Sequence, residues 1–336
     1  MSAQAALAAK AHQERLADGA AKAARRLWDE VDPNAIGPSW AELIPRATTV
    51  LAAAQLAAAL GGLEYLDELM GIAAPAVTGV AASALSGVAS DGRDLPTLLA
   101  QPAITTLTAI KHGMTPTRAL ALGRLQVDAI ATTQTVDAGR AAEQLGMAVR
   151  PRVVAYTRVV GAKACSRCMI LAGREYSWST GFLRHPRCKC TMRPMRPGER
   201  HQGDDPKDLF DGLTRAEQDQ RFGQAAAEAI RAGADMAQVV NARRGMQTPS
   251  GGGRARYTTE GTTRRGYAGR RLGNLTDRSG RYVRSATPRL MPDAIIRDAR
   301  DREHALELLY EHGYLTDPPP PAMGDGTTPQ RETPDE

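Results

Sequence analysis

Residues 115–146 read TPTRALALGRLQVDAIATTQTVDAGRAAEQLG. Thr115 stands where a helix cap would stand, and Pro116 suits a first helical turn because its missing N–H has no partner there in any case. Leu122, Leu125, Ala129, Thr132 and Val136 then recur at helical spacing, which predicts one long helix over 116–146. Working back toward Met1, the same Ala-, Leu-, Glu-, Gln- and Arg-rich texture predicts helices at 3–31, 39–60, 63–71, 76–89 and 95–111. Turn signals separate them at Asp32-Pro33, Gly37-Pro38, Gly61-Gly62, Asp91-Gly92 and Gly113. Small residues along these helices permit close approach and bury little apolar area. Such a bundle either completes its core against a partner or stands alone.

The texture changes after Val149. Val153, Val154, Tyr156, Val159 and Val160 are β-branched and aromatic, and predict a strand. Thr214 with Glu217 three residues later is a capping box, predicting a helix to about Ala232, with a second short helix over 234–242. Residues 292–313 look helical again, with Ile295, Leu306, Leu308 and Leu309 as core candidates. The Pro-rich tail from Asp317 predicts disorder. The expected fold is therefore mainly α: a helical N-terminal domain, a small α+β module with a Cys/His cluster, and an Arg-rich C-terminal region. In residue terms these are 1–148, 149–250 and 251–316, followed by the tail 317–336.

Charge follows the same division. The 336 residues carry a net charge of +6, but 1–150 hold 12 basic and 14 acidic side chains, while 151–336 hold 31 and 23. A polyanionic partner would meet the second half. Met1 leads into a polar, Ala-rich stretch without a signal-like apolar region. The most apolar run, Val50 to Leu60, is too short to span a bilayer. No membrane partner is expected.

All four cysteines fall within 26 residues, as Cys165-x2-Cys168 and Cys188-x-Cys190, with His185 three positions before Cys188. Two short-spaced pairs supply the four S or N donors that tetrahedral Zn²⁺ requires. Cys-x-Cys is a tight half-site, so His185 either replaces one of that pair or supports it. Packing thiols and disulfides are the alternative readings. A closed site of this kind serves folding, because no position is left for an activated water.

The residues Ala164-Cys-Ser-Arg-Cys168, Leu171-Ala-Gly173, Phe182 and Arg184-His-Pro-Arg-Cys-Lys-Cys190 resemble the motif of Mu F-like minor capsid proteins of tailed bacteriophages. Further blocks resemble the actinobacteriophage branch: Phe222-Gly223 with Val239 to Met246, Thr258 to Gly266, Arg289 to Pro292, and Leu308-Leu309 with Gly313-Tyr314. The likeness spans about 150–316. It implies a head morphogenesis role as a minor component of the virion interior, made in the bacterial host cytoplasm. The implied partners are the portal or the major capsid shell. A capsid maturation protease and a non-specific DNA-binding protein are the rival classes.

No enzyme is expected. The chain has no G-x4-G-K-[ST] loop, no HExxH and no G-x-S-x-G. Residues 254–289 carry ten Arg against Glu260 and Asp277. Interleaved tyrosines make contact with packaged double-stranded DNA an expectation, carried by Arg264, Arg265, Arg270, Arg271, Arg281 and Arg284. The alternative is a solvated stretch paired with carboxylates.

Overall fold

The computed structural model describes residues 2–161, 163–199, 205–243, 246–247, 257–260, 274–276 and 283–319. They form a mainly helical protein that divides into two compact units. One comprises residues 1–164 and 171–209, the other 165–170 and 210 onward.

The first unit is built on three long helices, α1 (Ser2–Trp28), α2 (Ile36–Met70) and α5 (Pro116–Ala148), with the short α3 (Leu95–Leu99) and α4 (Gln101–Lys111) between the last two. The three long helices pack on one another. Their core gathers Trp28 and Trp40, whose rings meet edge-on at 4.9 Å, with Leu51, Leu95, Leu99, Val127 and Ala131. The two buried indoles are satisfied by backbone: Trp28 Nε1 donates to Leu120 O at 3.0 Å and Trp40 Nε1 to Leu99 O at 2.6 Å.

The long helix over 116–146 forms as expected, but its buried face differs. Ala119, Gly123 and Val127 are buried, whereas Leu122 and Leu125 are exposed. A Cβ on Gly123 would stand 2.2 Å from the Trp28 ring. The closest helix approach therefore selects the smallest residues and leaves the leucines outside. Thr115 occupies the cap position, yet its side chain makes no capping bond.

Two further expectations are corrected. Gly61-Gly62 does not end a helix, because α2 runs through it. A Cβ on Gly62 would lie 2.9 Å from Gly139 O of α5, so this glycine serves the helix crossing and not a turn. The apolar element is thus longer than the Val50–Leu60 run. Ile36–Ala73 is long and apolar enough to cross a membrane by length and composition alone, while α2 packs on α1 and α5 here.

Residues 76–89 are not a helix but an irregular loop with one 3-10 turn at Ala82–Leu85. Its backbone is satisfied from helices. Gln55 donates to Val88 O at 2.7 Å and accepts from Gly87 N at 2.9 Å, while Gln134 accepts from Ser90 N at 2.7 Å. Buried glutamines thus take the place of an intrahelical ladder.

The first unit also holds a three-stranded antiparallel sheet in the order β2-β1-β3. The strands are β1 (Ala155–Val159), β2 (Glu175–Ser177) and β3 (Thr191–Met195). Tyr156 pairs with Tyr176 on one side and Pro194 on the other. The sheet packs on α1 and α5. A boundary at 148 is therefore not where the compact units part: the strands after it share their core with the helices before it.

In the second unit, the described elements are the short α6 (Ser166–Met169), α8 (Arg215–Phe222), α9 (Gln224–Arg231), α10 (Met236–Ala242), α11 (Pro292–Asp298) and α12 (Arg302–Glu311). The helix α7 (Pro206–Asp211) leads into it. The capping box at Thr214 and Glu217 is present in both halves. The helix it opens stops at Gly223, whose φ of +81° breaks the expected run to Ala232 into α8 and α9. Four strands, β4 (Met246–Gln247), β5 (Tyr257–Glu260), β6 (Asn274–Thr276) and β7 (Val283–Leu290), pair antiparallel in the order β4-β5-β7-β6.

Two of the resemblance blocks meet here. The buried Arg289 lies over the Tyr314 ring at 4.9 Å, and Tyr314 Oη donates to Leu290 O at 2.8 Å. Ile295 and Leu309 are buried, whereas Leu306 and Leu308 are only partly so. The Pro-rich tail from residue 320 lies outside the described residues.

Candidate metal centre

Cys188 and Cys190 sit on the turn that enters β3, and both are buried. His185 stands at the start of that turn. Its Nδ1 lies 2.7 Å from Pro186 O. A carbonyl can only accept, so the proton belongs on Nδ1 and the lone pair on Nε2, the tautomer that ligates metal. Cys165 precedes the single turn of α6, and its carbonyl accepts from the N–H groups of Cys168 and Met169, both at 3.0 Å. That turn aims two sulfurs the same way, as a Cys-x2-Cys knuckle requires.

The donor atoms of Cys165, Cys168 and His185 all lie within 4.8 Å of one another. Those of Cys168, Cys188 and Cys190 do the same, so Cys168 belongs to both groups. Tetrahedral zinc with Zn–S bonds of ~2.3 Å puts sulfurs ~3.8 Å apart. Each group of three, taken by itself, falls within the reach of one metal ion. All four cysteines are thiols, not disulfides.

Behind the sulfurs stand two buried arginines. Arg158 of β1 places Nη2 3.6 Å from the Sγ atoms of both Cys188 and Cys190. Its guanidinium lies 4.3 Å from the centre of the Phe182 ring, and its Nη1 donates to Leu183 O at 3.3 Å. A cation beside sulfur favours the thiolate, the form that binds metal. Arg140 of α5 takes the backbone instead: its Nη1 donates to Cys188 O and Cys190 O, each at 2.9 Å.

The same turn is strapped down along its length. Arg140 pairs with Asp137, and Arg184 Nε donates to Asp137 Oδ1 at 2.6 Å. Burial works against the Asp137 carboxylate, but Arg140 and Arg184 outweigh it and hold the group below its usual range. Arg187 has a left-handed backbone, φ +66°, rare for a residue with a side chain. It is held there by Thr133 Oγ1, which accepts from its N–H at 2.9 Å, and by Asp128, 2.5 Å from Nη2. Lys189 reaches Asp18 of α1 at 2.6 Å. Two residues beyond Cys190, Met192 N donates to Glu143 at 3.2 Å, and Tyr65 Oη donates to Met192 O at 3.2 Å. Glu143 also accepts from Gln13 Nε2 at 2.8 Å. Burial pushes its carboxyl up to about 8 against these donors.

All five residues expected from sequence, Cys165, Cys168, Cys188, Cys190 and His185, enter the two donor groups. The arginines expected to meet nucleic acid are placed differently. Arg264, Arg265, Arg270, Arg271 and Arg281 lie outside the described residues, and Arg284 lies in β7, opposite Leu275 and Glu260 in register. The supporting residues Asp137, Arg140, Glu143 and Arg158 were not picked out by sequence reasoning. One signal was available: Asp137, Arg140 and Glu143 recur every third residue, forming a charged stripe among small residues on a helix that must be buried.

A family model described as VG15 protein matches residues 1–216. No curated protein matches the chain, and no solved structure does.

Proposed function

We propose that this chain, which belongs to the VG15 protein family and is a phage protein, acts as a minor capsid protein in head morphogenesis, with a structural zinc in its Cys/His cluster. One observation carries the reading. The Cys188-x-Cys190 turn is bound to the long helices by Arg140, Arg184, Arg187 and Lys189, and its two sulfurs belong to a donor group that could hold a metal ion. A turn anchored at so many points is built to stay still. An ion that takes four of the five Cys and His donors has no vacant position for substrate or water. The metal's work is then to hold the fold, which suits an assembly component better than a protease. The likeness of the same turn to the Mu F-like motif supports this reading.

In this reading residues 1–148 dock on the portal or the inner face of the major capsid shell. The Arg-rich part within 251–316 contacts packaged DNA without sequence preference. The protein performs no chemistry of its own. It is made in the host cytoplasm and ends in the capsid interior.

The test is to purify procapsids and virions and quantify the chain by mass spectrometry, together with zinc in the isolated protein. The expected outcome is a few copies per particle and about one zinc per chain, with Cys165→Ser lowering both the zinc content and the melting temperature. Absence from particles overturns the capsid role. Zinc-free protein from reducing, zinc-replete preparation overturns the metal assignment.

A further inference from the structure

Within the second unit, a cavity of about 370 Å³ opens among α8, α9, α11 and α12. Its wall carries Arg215, Arg231 and Arg302, with Glu228, Asp301 and Ile296. Arg215 is the first residue of α8, Arg302 the first of α12 and Arg231 the last of α9. Three helix ends thus bring three arginines to the wall of one hollow. We propose that this cavity is a binding site for a phosphate group.

The argument starts at Arg231. Its Nη1 donates to Gln218 Oε1 at 2.9 Å and to Asp219 Oδ1 at 3.0 Å, which fixes the plane of the guanidinium. Its Nη2 is buried and has no hydrogen-bond partner among the described residues. That nitrogen is closed off from solvent, so Arg231 contributes a fixed positive charge beside the cavity, and direct contacts to a ligand fall to the other two arginines. Arg215 and Arg302 are exposed and form no ion pair among the described residues, so their donors remain available.

The two carboxylates refine the ligand without cancelling it. Asp301 is engaged as the cap of α12, accepting from His304 N at 2.8 Å. Glu228 lies one turn before Arg231 on α9 and adds an acceptor to the same wall. Near neutral pH a phosphate monoester or inorganic phosphate still carries a P–OH for part of the time, which a carboxylate can accept while guanidinium forks hold the other oxygens. A cavity of this size holds a phosphate with the first atoms of whatever bears it. The group has two sources: free phosphate, whose P–OH suits Glu228, and the phosphodiester backbone of DNA, which has no P–OH and would engage the arginines alone.

Isothermal titration of the full-length chain with inorganic phosphate, against chloride at matched ionic strength, tests the site. Saturable binding is expected, weakened at least ~10-fold in the double variant Arg215→Gln/Arg302→Gln, as the loss of two charge-assisted contacts implies. Both residues are exposed, so the variant should melt like the parent. Arg231→Gln should also weaken binding, and because it touches Asp219 its melting curve is read alongside. Absence of phosphate binding, or binding unchanged in the double variant, overturns the proposal. A competition arm with short duplex DNA separates the sources. Displacement of phosphate by duplex shows that the backbone reaches the cavity. Phosphate binding that duplex leaves intact assigns the site to free phosphate. Either result upholds the site.

Discussion

Glu143 is fully enclosed between α1 and β3, and burial lifts its carboxyl from 4.5 to about 8. Between those values the native state keeps a proton that the unfolded chain has lost. Stability therefore falls as pH rises across that window. Glu143→Gln cannot ionise and should lack this part of the slope. The stability of the variant relative to the parent should rise from pH 5.5 to pH 8, read by urea denaturation at each pH. Parallel pH profiles would show that Glu143 is ionised in the native state. Gln13 Oε1, buried with no hydrogen-bond partner among the described residues, sits on the same amide whose nitrogen faces Glu143. An amide turned the other way would accept the Glu143 proton. Arg140 is a second residue on which much depends, since one guanidinium holds two cysteine carbonyls and a buried carboxylate. Arg140→Lys keeps the charge but loses the fork. It should cost about 3 kcal/mol, as breaking a buried pair does, and should speed metal loss to a chelator. A melting curve and a chelation rate like the parent's would remove Arg140 from the centre's support.

Between elements, the crossing of α2 on α5 is set by glycines. A Cβ on Gly62 would meet Gly139 O at 2.9 Å, and one on Gly139 would meet Gln13 Nε2 at 2.4 Å. Gly62→Ala gains about 1 kcal/mol in helix propensity but forces two backbones apart. A net destabilisation of about 1–3 kcal/mol is expected, because overpacking against backbone has no flexible neighbour to yield. Gly19 in α1 is the internal control. Nothing lies within 4 Å of its Cβ position, so Gly19→Ala should stabilise by up to about 1 kcal/mol. Thermal or urea unfolding of both variants checks the pair. A stabilised Gly62→Ala protein would show that the crossing is looser than described.

For the molecule as a whole, the Cys turn belongs with the N-terminal helices. Its supports come from α1 and α5, and the strands beside it pack on the same helices. A fragment of residues 149–209 should therefore fail to fold around zinc on its own, although it contains all five donors. Far-UV circular dichroism with and without zinc would test this, and a cooperative, zinc-dependent transition in the fragment would contradict it. The full chain should bind zinc under the same conditions.

The long helices, the capping box at Thr214 and the grouping of the four cysteines with His185 as residues that could hold a metal were legible in the sequence, because they follow from local spacing and side-chain chemistry. The Cys-x2-Cys turn and the helical repeat need only near neighbours to exist. What local pattern could not supply was which face of α5 would be buried, whether Gly61-Gly62 would end a helix, and whether 76–89 would be one. In each case the answer depends on what another element brings. Trp28 requires Gly123, Gly139 requires Gly62, and Gln55 with Gln134 satisfy a loop that would otherwise have had to satisfy itself by coiling. The boundary near 148 was legible as a change of texture, from helix formers to β-branched residues. Texture records which local structure a segment adopts, whereas a compact unit is defined by which surfaces exclude water together. Here the strands and the helices exclude it jointly, so only the tertiary structure could place the cysteine turn on the helices that hold it.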